Sequence, residues 1–245
     1  MQISNYAFNS NKIAQNIRVA VISDAHGRDI ATLKNALNEI RPDLIAVPGD
    51  IEGKGDKATR IAYAREFIKM CSNFAPAFIS LGNHDVDITN ELVSECGAAL
   101  LDDSYTVSRI SGTDIYIGGL TSGSLGKRHK RLSKTPDPDI AFANEFSKLC
   151  GFKILLSHHP EYFPEHLRDL DIDLVISGHA HGGQWRLFGR GVFAPGQGIF
   201  PKYISGVYEG RLLVSRGAGD HNAIPRFFNP NEICVCEIAA VCKNK

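Results

Sequence analysis

Apolar residues are arranged along the chain in two patterns that alternate with each other. Short and almost wholly apolar runs, such as residues 17–23 and Leu44–Val47, have the length of a strand that is buried on both faces. Between these runs, apolar residues recur at helical spacing over Ile30–Ile40 and again over residues 57–72. This alternation of strand and helix predicts an α/β domain with parallel strands at its centre.

The second half of the chain continues the strand pattern but contains fewer helical stretches. Further predicted elements are strands at residues 77–81, 105–110, 114–120, 153–156, 174–177, 212–215 and 233–238, with a turn at Ser111-Gly112 and a short helix near 88–97. We find no internal repeat and no linker. The sequence therefore predicts one domain over residues 1–245, with a polar N-terminal extension at residues 1–16.

Composition and charge narrow the class of protein. The chain has 27 basic and 27 acidic residues, so a nucleic-acid partner gains no support from net charge. The N-terminus lacks a signal-peptide pattern, and no apolar run approaches the ~20 residues of a membrane helix. Six cysteines occur without a Cys-x-x-Cys pair, which predicts a reduced, cytoplasmic protein. The sequence does not predict the oligomeric state.

Side chains of the metal-ligand type follow five of the predicted strands. They are Asp24 and His26, then Asp50, then Asn83 with His84 and Asp85, then His158 with His159, and finally His179 and His181. Because the carboxyl ends of parallel strands meet at one edge of a sheet, these residues are predicted to converge. Glycine precedes the ligand at positions 49, 82 and 178, where it would allow sharp turns and close packing.

The chemistry of this set predicts two transition-metal ions. The candidate ligands are Asp24, His26, Asp50, Asn83, His158, His179 and His181. Mixed oxygen and imidazole ligands suit Mn²⁺, Fe or Zn²⁺, and the lack of thiolates argues against a structural zinc site. Seven side chains are too many for one ion with an open position but suit two ions that share a carboxylate. Each block alone is a weak signal, because Asp-x-His and Gly-Asp are common.

Taken in order, the five blocks resemble the signature of the calcineurin-like metallophosphoesterase superfamily. The blocks are Asp-x-His at 24–26, Gly-Asp at 49–50, Gly-Asn-His-Asp at 82–85, His158 and Gly-His-x-His at 178–181. Gly182-Gly183-Gln184 and the segment 202–226 are similar to the bacterial YaeI/YkuE-like branch. The resemblance implies a four-layer α-β-β-α sandwich with two mixed sheets, and a metal site at the C-terminal ends of the central strands.

The resemblance also implies a role for each residue. It puts Asp24, His26 and His181 on one metal and Asn83, His158 and His179 on the other, with Asp50 between the two. His84 is then the catalytic group that faces the phosphate, and Asp85 is the residue that orients His84. Mn²⁺ is the predicted ion, with Fe or Zn²⁺ as compatible alternatives. The export segment common in the branch is not found in the sequence, which weakens the expectation of an envelope setting and of lipid-linked substrates.

The predicted function is a phosphodiesterase or phosphatase in which a metal-bridging hydroxide attacks a small-molecule or nucleotide phosphoester. A nuclease or nucleotide hydrolase is the alternative within enzymes, and a non-catalytic metal-binding scaffold is the alternative outside them. Several further residues stay open at this point. They are His159 (packing or substrate contact), Trp185 (packing or border of the pocket), Gln184 and His221 (candidate neighbours of the site), Arg226 (salt bridge or site) and the basic run at residues 127–131 (solvated loop or phosphate or RNA contact).

Overall fold

The structure, a computed structural model, describes residues 1–126, 134–220 and 225–241. The basic run at residues 127–131 and His221 lie outside the described residues. The first strands are β1 (Gln2–Ser10), β2 (Ile17–Val21), β3 (Leu44–Val47), β4 (Ala77–Ile79), β5 (Ala99–Leu100), β6 (Ser104–Ile110), β7 (Thr113–Leu120) and β8 (Phe152–Ser157). They are followed by β9 (Leu174–Ser177), β10 (Arg186–Leu187), β11 (Arg190–Gly191), β12 (Phe193–Ala194), β13 (Gly198–Ile199), β14 (Gly206–Tyr208), β15 (Leu212–Val214) and β16 (Glu232–Ala240).

The helices are α1 (Ile30–Ile40), α2 (Lys57–Phe74), α3 (Asn90–Glu95) and α4 (Ile140–Ser147), with a π-helical turn at Phe163–Leu167 and a 3₁₀ turn at His181–Gly183. Aspartates begin three of the helices by a common device. The side chains of Asp29, Asp56 and Asp139 accept hydrogen bonds from backbone N–H groups of the first turns of α1, α2 and α4. No helix within the described ranges is long and apolar enough to cross a membrane.

Two six-stranded mixed sheets form the frame. The first has the order β1-β16-β2-β3-β4-β5, in which β2, β3, β4 and β5 are parallel and β16 runs antiparallel to β2. The second has the order β14-β15-β9-β8-β7-β6, with β15, β9, β8 and β7 parallel. Both therefore have parallel strands at the centre and antiparallel strands towards an edge.

Three apolar layers hold these sheets and the helices together. One packs between the two sheets and includes Val19, Leu44 and Leu156. A second lies between the first sheet and helices α1, α2 and α3, and a third lies between the second sheet, α4 and the π-helical turn. The order of layers is helix, sheet, sheet, helix, so the predicted four-layer α-β-β-α sandwich with two mixed sheets is confirmed.

The N-terminal segment is part of the first sheet. Residues 1–16, predicted only as a polar extension, contain β1, which pairs in parallel with β16 over its whole length. Seen from the sequence, β1 carries little apolar pattern because it is an edge strand with mostly exposed or half-buried side chains. Its partner lies at the other end of the chain, so only the folded sheet brings the two together.

A buried ion pair fastens β1 and β16 to the loop that follows β15. Glu232 is fully buried, and its carboxylate accepts hydrogen bonds from the Ser4 hydroxyl (2.7 Å), the Arg216 backbone N–H (2.8 Å) and the Arg216 guanidinium (2.5 Å). Burial alone would raise the pKa of Glu232, but its bonds to Arg216 and Ser4 hold the pKa below its ordinary value. The ionised form is therefore favoured by folding.

We expect Glu232→Gln to lower the free energy of unfolding at neutral pH by about 3–5 kcal/mol, because Arg216 would keep a buried charge without its partner. The folded-state pKa lies below the unfolded one, so this contribution is complete above the unfolded pKa and is lost as the pH falls towards the folded value. Urea unfolding at several pH values measures both effects.

Glu237→Gln is the matched control on the same strand. Glu237 pairs with Arg18 at 2.6 Å where both side chains are more than two-fifths exposed, so its loss is expected to cost less than about 1 kcal/mol. Equal losses for the two variants would show that the Glu232 pair does not have the assigned role.

Candidate metal centre

The candidate ligands lie where five central strands end. Asp24 and His26 follow β2, Asp50 follows β3 and Asn83 follows β4 in the first sheet, while His158 follows β8 and the pair His179 and His181 follows β9 in the second. Parallel strands point their carboxyl ends in one direction, so the loops of both sheets meet at a common rim. The structure brings all seven predicted ligands together at this rim.

The backbone at most of these ligands is in the left-handed region. Positive φ angles between 41° and 64° occur at Asp24, His26, Asp50, His179 and His181. Such angles are uncommon outside glycine and cost of order 1–3 kcal/mol each, and they persist only where the surroundings enforce them. Backbone bonds from Asp24 N–H to the Gly49 carbonyl (3.0 Å) and from His26 N–H to the Asp50 carbonyl (3.2 Å) provide part of that enforcement.

The first group of ligand atoms comes from both sheets. Asp24, His26 and His181 each place a ligand atom within 4.8 Å of the others, and all three residues are buried. The Nε2 atoms of His26 and His181 lie 4.0 Å and 3.7 Å from Oδ1 of Asp24. These separations match donors arranged around a common point.

The second group lies beside the first. Asp50, His158 and His179 are likewise within 4.8 Å of one another and buried. Nε2 of His158 lies 3.2 Å from Oδ1 of Asn83, so the amide oxygen of Asn83 joins this group. The same oxygen of Asp50, Oδ2, lies 3.2 Å from His158 Nε2 and 3.5 Å from His26 Nε2. Asp50 therefore stands between the two groups.

Two backbone carbonyls determine how the histidine rings present their nitrogens. Nδ1 of His158 lies 2.8 Å from the Pro48 carbonyl, and Nδ1 of His26 lies 3.2 Å from the Glu52 carbonyl. A carbonyl oxygen only accepts hydrogen bonds, so Nδ1 carries the proton in each ring. In the neutral, metal-binding form of each ring the lone pair is then on Nε2, which faces Asp50 in both cases.

Two glycines allow the loops to approach the carboxylates closely. A β-carbon at Gly82 would overlap the Asp50 carboxylate, and one at Gly178 would overlap the Ser23 hydroxyl and the Asp24 carboxylate. Any other residue at either position would push a ligand loop away. This is the physical reason for glycine directly before Asn83 and His179.

The electrostatics of the centre favour a cation. Burial raises the pKa of Asp24 to about 6, against the opposing charge of His158. Burial would also raise the pKa of Asp50, but His158 holds it well below its ordinary value. In turn, burial would lower the pKa of His158, yet the charges of Asp50 and Asp24 raise it to about 10. Positive charge within the rim therefore stabilises the ionised carboxylates of Asp24 and Asp50.

The other two ligand histidines favour the neutral form. Burial lowers the pKa of His179 and His181 well below the ordinary value, and a neighbouring imidazole lowers it further in each case, His159 beside His179 and His26 beside His181. A neutral imidazole is the form that binds a metal ion.

His84 and Asp85 have different surroundings. The backbone N–H of His84 donates to Oδ1 of Asp50 (2.9 Å), and its ring lies edge-on to that of His26 with 5.4 Å between the centroids. The buried Asp85 carboxylate accepts backbone N–H bonds at 2.7–3.1 Å from Gly82 and from all three residues of the loop Asp50, Ile51 and Glu52. Asp85 therefore fixes two ligand loops to each other, and its predicted effect on the His84 ring stays a prediction.

Residues behind the candidate ligands support the centre. His159 is buried, packs against His179 at 4.1 Å between ring centroids and lies 2.7 Å from the Ser122 hydroxyl. Nδ1 of His159 is 3.4 Å from Oε1 of Glu161. Of the two interpretations left open for His159, the supporting role fits this position. No sequence pattern marks Glu161 or Ser122, because their roles arise from tertiary contact alone.

The loop after His181 borders the centre. Arg226 forms an ion pair with Asp220, and its guanidinium also lies 3.2 Å from Nδ1 of His181, so both interpretations of Arg226 apply. Gln184 has a positive φ, and its carbonyl accepts a bond from the side chain of Asn229. Trp185 is 48% exposed, so it is not a packing residue of the core.

Comparison with known proteins identifies the fold family. The family model described as calcineurin-like phosphoesterase matches residues 17–183, which is more than half of the chain. The chain belongs to this family.

Three bacterial relatives place the chain within the calcineurin-like phosphoesterases. The uncharacterized metallophosphoesterase YkuE of Bacillus subtilis is 29% identical over 89% of this chain and 77% of its own length. The UDP-2,3-diacylglucosamine pyrophosphatase LpxG of Chlamydia trachomatis is 38% identical over 89% of this chain and 82% of its own length. Phosphodiesterase YaeI of Escherichia coli is 27% identical over 83% of this chain and 70% of its own length. Three other relatives are longer, and the matches cover only 33–60% of their lengths.

The donor set fits the metal dependence of the family. Each group offers two imidazoles and a carboxylate, and Asn83 adds an amide oxygen to the second. Such donors suit first-row transition ions, and none of the ligands is a thiolate. The predicted resemblance to the family and to its YaeI/YkuE-like branch is confirmed.

We expect Asp50→Asn to weaken metal binding at both ligand groups and so to lower the metal content of the purified protein, because Asp50 faces both groups. His181→Ala is expected to remove only one ion, since His181 faces a single group. Elemental analysis after desalting measures the content. Asp171→Asn, on the exposed surface, is the control. An Asp50→Asn variant whose metal content equals that of the unaltered protein would show that Asp50 is not shared by the two ligand groups.

Proposed function

We propose that this chain is a phosphoesterase, either a phosphodiesterase or a phosphatase, that depends on a pair of metal ions. The proposal rests on one observation, namely two buried ligand groups that meet at Asp50 on the shared rim of the two sheets. Family membership supports it, and so do the names of two relatives, a phosphodiesterase and a pyrophosphatase. A scaffold without activity gains no support, because every predicted ligand position carries a competent donor.

A bound pair of ions supplies two things, activation of water and neutralisation of phosphate charge. The chain itself positions the metal donors. The carbonyls of Pro48 and Glu52 fix the ring nitrogens, and Asp85 fixes the loops, so the donors need little rearrangement. We propose Mn²⁺ as the ion, with Fe or Zn²⁺ as alternatives that these donors also accept.

His84 is the proposed catalytic side chain. Its backbone is fixed on Asp50 while its half-buried ring lies next to that of His26, so the imidazole borders the rim from the open side. From there it would donate a proton to the leaving group or a hydrogen bond to a phosphate oxygen. Asp85 is the proposed positioning residue for the loop that carries it.

We also propose a reducing compartment, the cytoplasm. The five described cysteines all carry free thiols, and four of them are buried. Free buried thiols fit a protein that works in a reducing environment.

Hydrolysis assays on the reconstituted protein test the function. We expect protein loaded with Mn²⁺ to hydrolyse bis(p-nitrophenyl) phosphate, and a chelator to abolish the activity. A panel of p-nitrophenyl phosphate, nucleotides, a nucleoside diphosphate ester and single-stranded nucleic acid separates monoesterase, diesterase and nuclease activity. Metal-loaded protein that is inert on every compound of the panel would contradict the proposal.

We expect His84→Ala to lower kcat on the best substrate by about 10²- to 10⁴-fold, because a positioned proton donor contributes on this scale. Metal content should stay unchanged, since His84 belongs to neither ligand group. His166→Ala is the control, because His166 pairs with Asp137 outside the centre. Unchanged turnover in the His84 variant would remove its proposed role.

A further inference from the structure

Three exposed phenylalanines occupy backbone positions that bulky residues rarely adopt. Phe188, Phe200 and Phe228 are 97%, 75% and 74% exposed. Their φ angles are 49°, 53° and 49°, in the left-handed region. A bulky residue there is a clear outlier, whereas Asn or Gly fits without strain. Each position therefore combines backbone strain with a large apolar side chain in water, which indicates that the ring contacts something outside the chain.

The hairpin between β10 and β11 shows the conflict most directly. Its two-residue turn is Phe188-Gly189, and both residues have positive φ. This geometry belongs to a type I′ turn, in which Asn-Gly is the preferred pair. Phe188 thus stands in a position that favours Asn, at the tip of a protruding hairpin.

Backbone hydrogen bonds join the three phenylalanines into one region. The Arg186 N–H bonds to the Phe227 carbonyl (3.0 Å), and the Phe200 N–H bonds to the Val192 carbonyl (3.0 Å). The Val192 N–H in turn bonds to the carbonyl of Trp185 (2.9 Å). We call the exposed side chains of this region the aromatic surface; its members are Trp185, Phe188, Ile199, Phe200, Phe227 and Phe228.

Positive charge accompanies the aromatic surface. Arg186, Arg190 and Lys202 line a cavity of about 480 Å³, together with Phe200. The sequence has no acidic residue between Asp173 and Glu209. Within the described parts of the chain, no carboxylate forms an ion pair with any of the three cations. The region is cationic although the whole chain has no net charge.

The aromatic surface is continuous with the metal centre. Asn229, directly after Phe228, donates side-chain hydrogen bonds to the carbonyls of His181 (2.7 Å) and Gln184 (3.1 Å). Trp185 follows His181 after only three residues. A partner on this surface would therefore lie beside the candidate active site.

We propose that the aromatic surface docks the protein on an anionic phospholipid membrane, with the phenylalanine rings in the headgroup region and the three cations against lipid phosphates. Exposed aromatic rings can insert between lipid headgroups, which is how interfacial segments bind. Arg186, Arg190 and Lys202 lie beside them without a carboxylate partner among the described residues, and such cations are attracted to anionic lipid headgroups. A second copy of this chain fits less well, because a two-fold contact would bring the same unpaired cations of both copies together.

Vesicle co-sedimentation tests the docking without any need for catalysis. We expect the protein to sediment with vesicles of phosphatidylcholine mixed with phosphatidylglycerol, and much less with pure phosphatidylcholine. Combined Phe188→Asn, Phe200→Asn and Phe228→Asn should reduce the bound fraction by about tenfold or more. The melting temperature should stay the same or rise, because Asn tolerates the left-handed backbone. Tyr105→Ser with Val107→Ser, two residues each 47% exposed on β6, is the control and should bind as before.

A charge variant gives an independent measurement. Arg190→Glu with Lys202→Glu leaves the rings in place and is expected to abolish the preference for phosphatidylglycerol. The proposal is overturned if the unaltered protein ignores anionic vesicles, or if the three-Asn variant binds like the control. It is also overturned if the unaltered protein is a dimer that the Asn changes dissociate while vesicle binding is absent. In that case a second copy covers the surface.

Discussion

The carboxylate of Asp50 is the point at which the two halves of the molecule depend on each other. It is buried, it faces His26 from the first sheet and His158 from the second, and its backbone is fixed by Asp85. A negative charge in that position is stable only if positive charge stands close by on both sides. The two sheets must therefore be held at one relative position, and the apolar layer between them does this. Packing far from the rim thus determines whether the donors stand close enough to act together.

The strained backbone of the ligand loops also results from bringing donors of both sheets close together. Left-handed φ angles at Asp24, His26, Asp50, His179 and His181 direct side chains from different strands inward. Local preference would not produce these angles, so tertiary hydrogen bonds and the close approach of Gly82 and Gly178 must hold them. These strained φ angles lower the stability of the folded chain, and they fix the arrangement of the donors. The same conformation occurs at Phe188, Phe200 and Phe228, whose side chains are mostly exposed, and the proposed membrane contact rests on that exposure.

Much of the architecture is readable in the sequence, and the exceptions have physical causes. Strands β2, β3 and β9 are buried on both faces and were predicted, because such strands require continuous apolar runs. Edge strand β1 was not predicted, since its pairing with β16 depends on a distant partner. The short strands β10 to β14 were also not predicted, because two- and three-residue strands have no period to detect. Helix α4 was not predicted either.

The candidate site divides in the same way. The candidate ligands could be named from the sequence because each lies within five residues after the end of a strand, a position that the chain itself encodes. The tautomers of His26 and His158, the support from Glu161 and the exposure of Trp185 depend on contacts between distant segments. Such contacts leave no local pattern in the sequence. Residue type and order are therefore predictable, whereas the orientation of each ring requires the fold.

Asp85 has one more consequence, which concerns the choice of ion. Its carboxylate gathers four backbone amides from two loops, and these bonds need no metal. The loops that carry Asp50 and Asn83 are therefore held in place by the polypeptide itself. Imidazole and carboxylate donors accept several first-row ions, whose affinities follow a general order. Supply in the surroundings, more than the protein, would then decide which ion the enzyme carries at a given time.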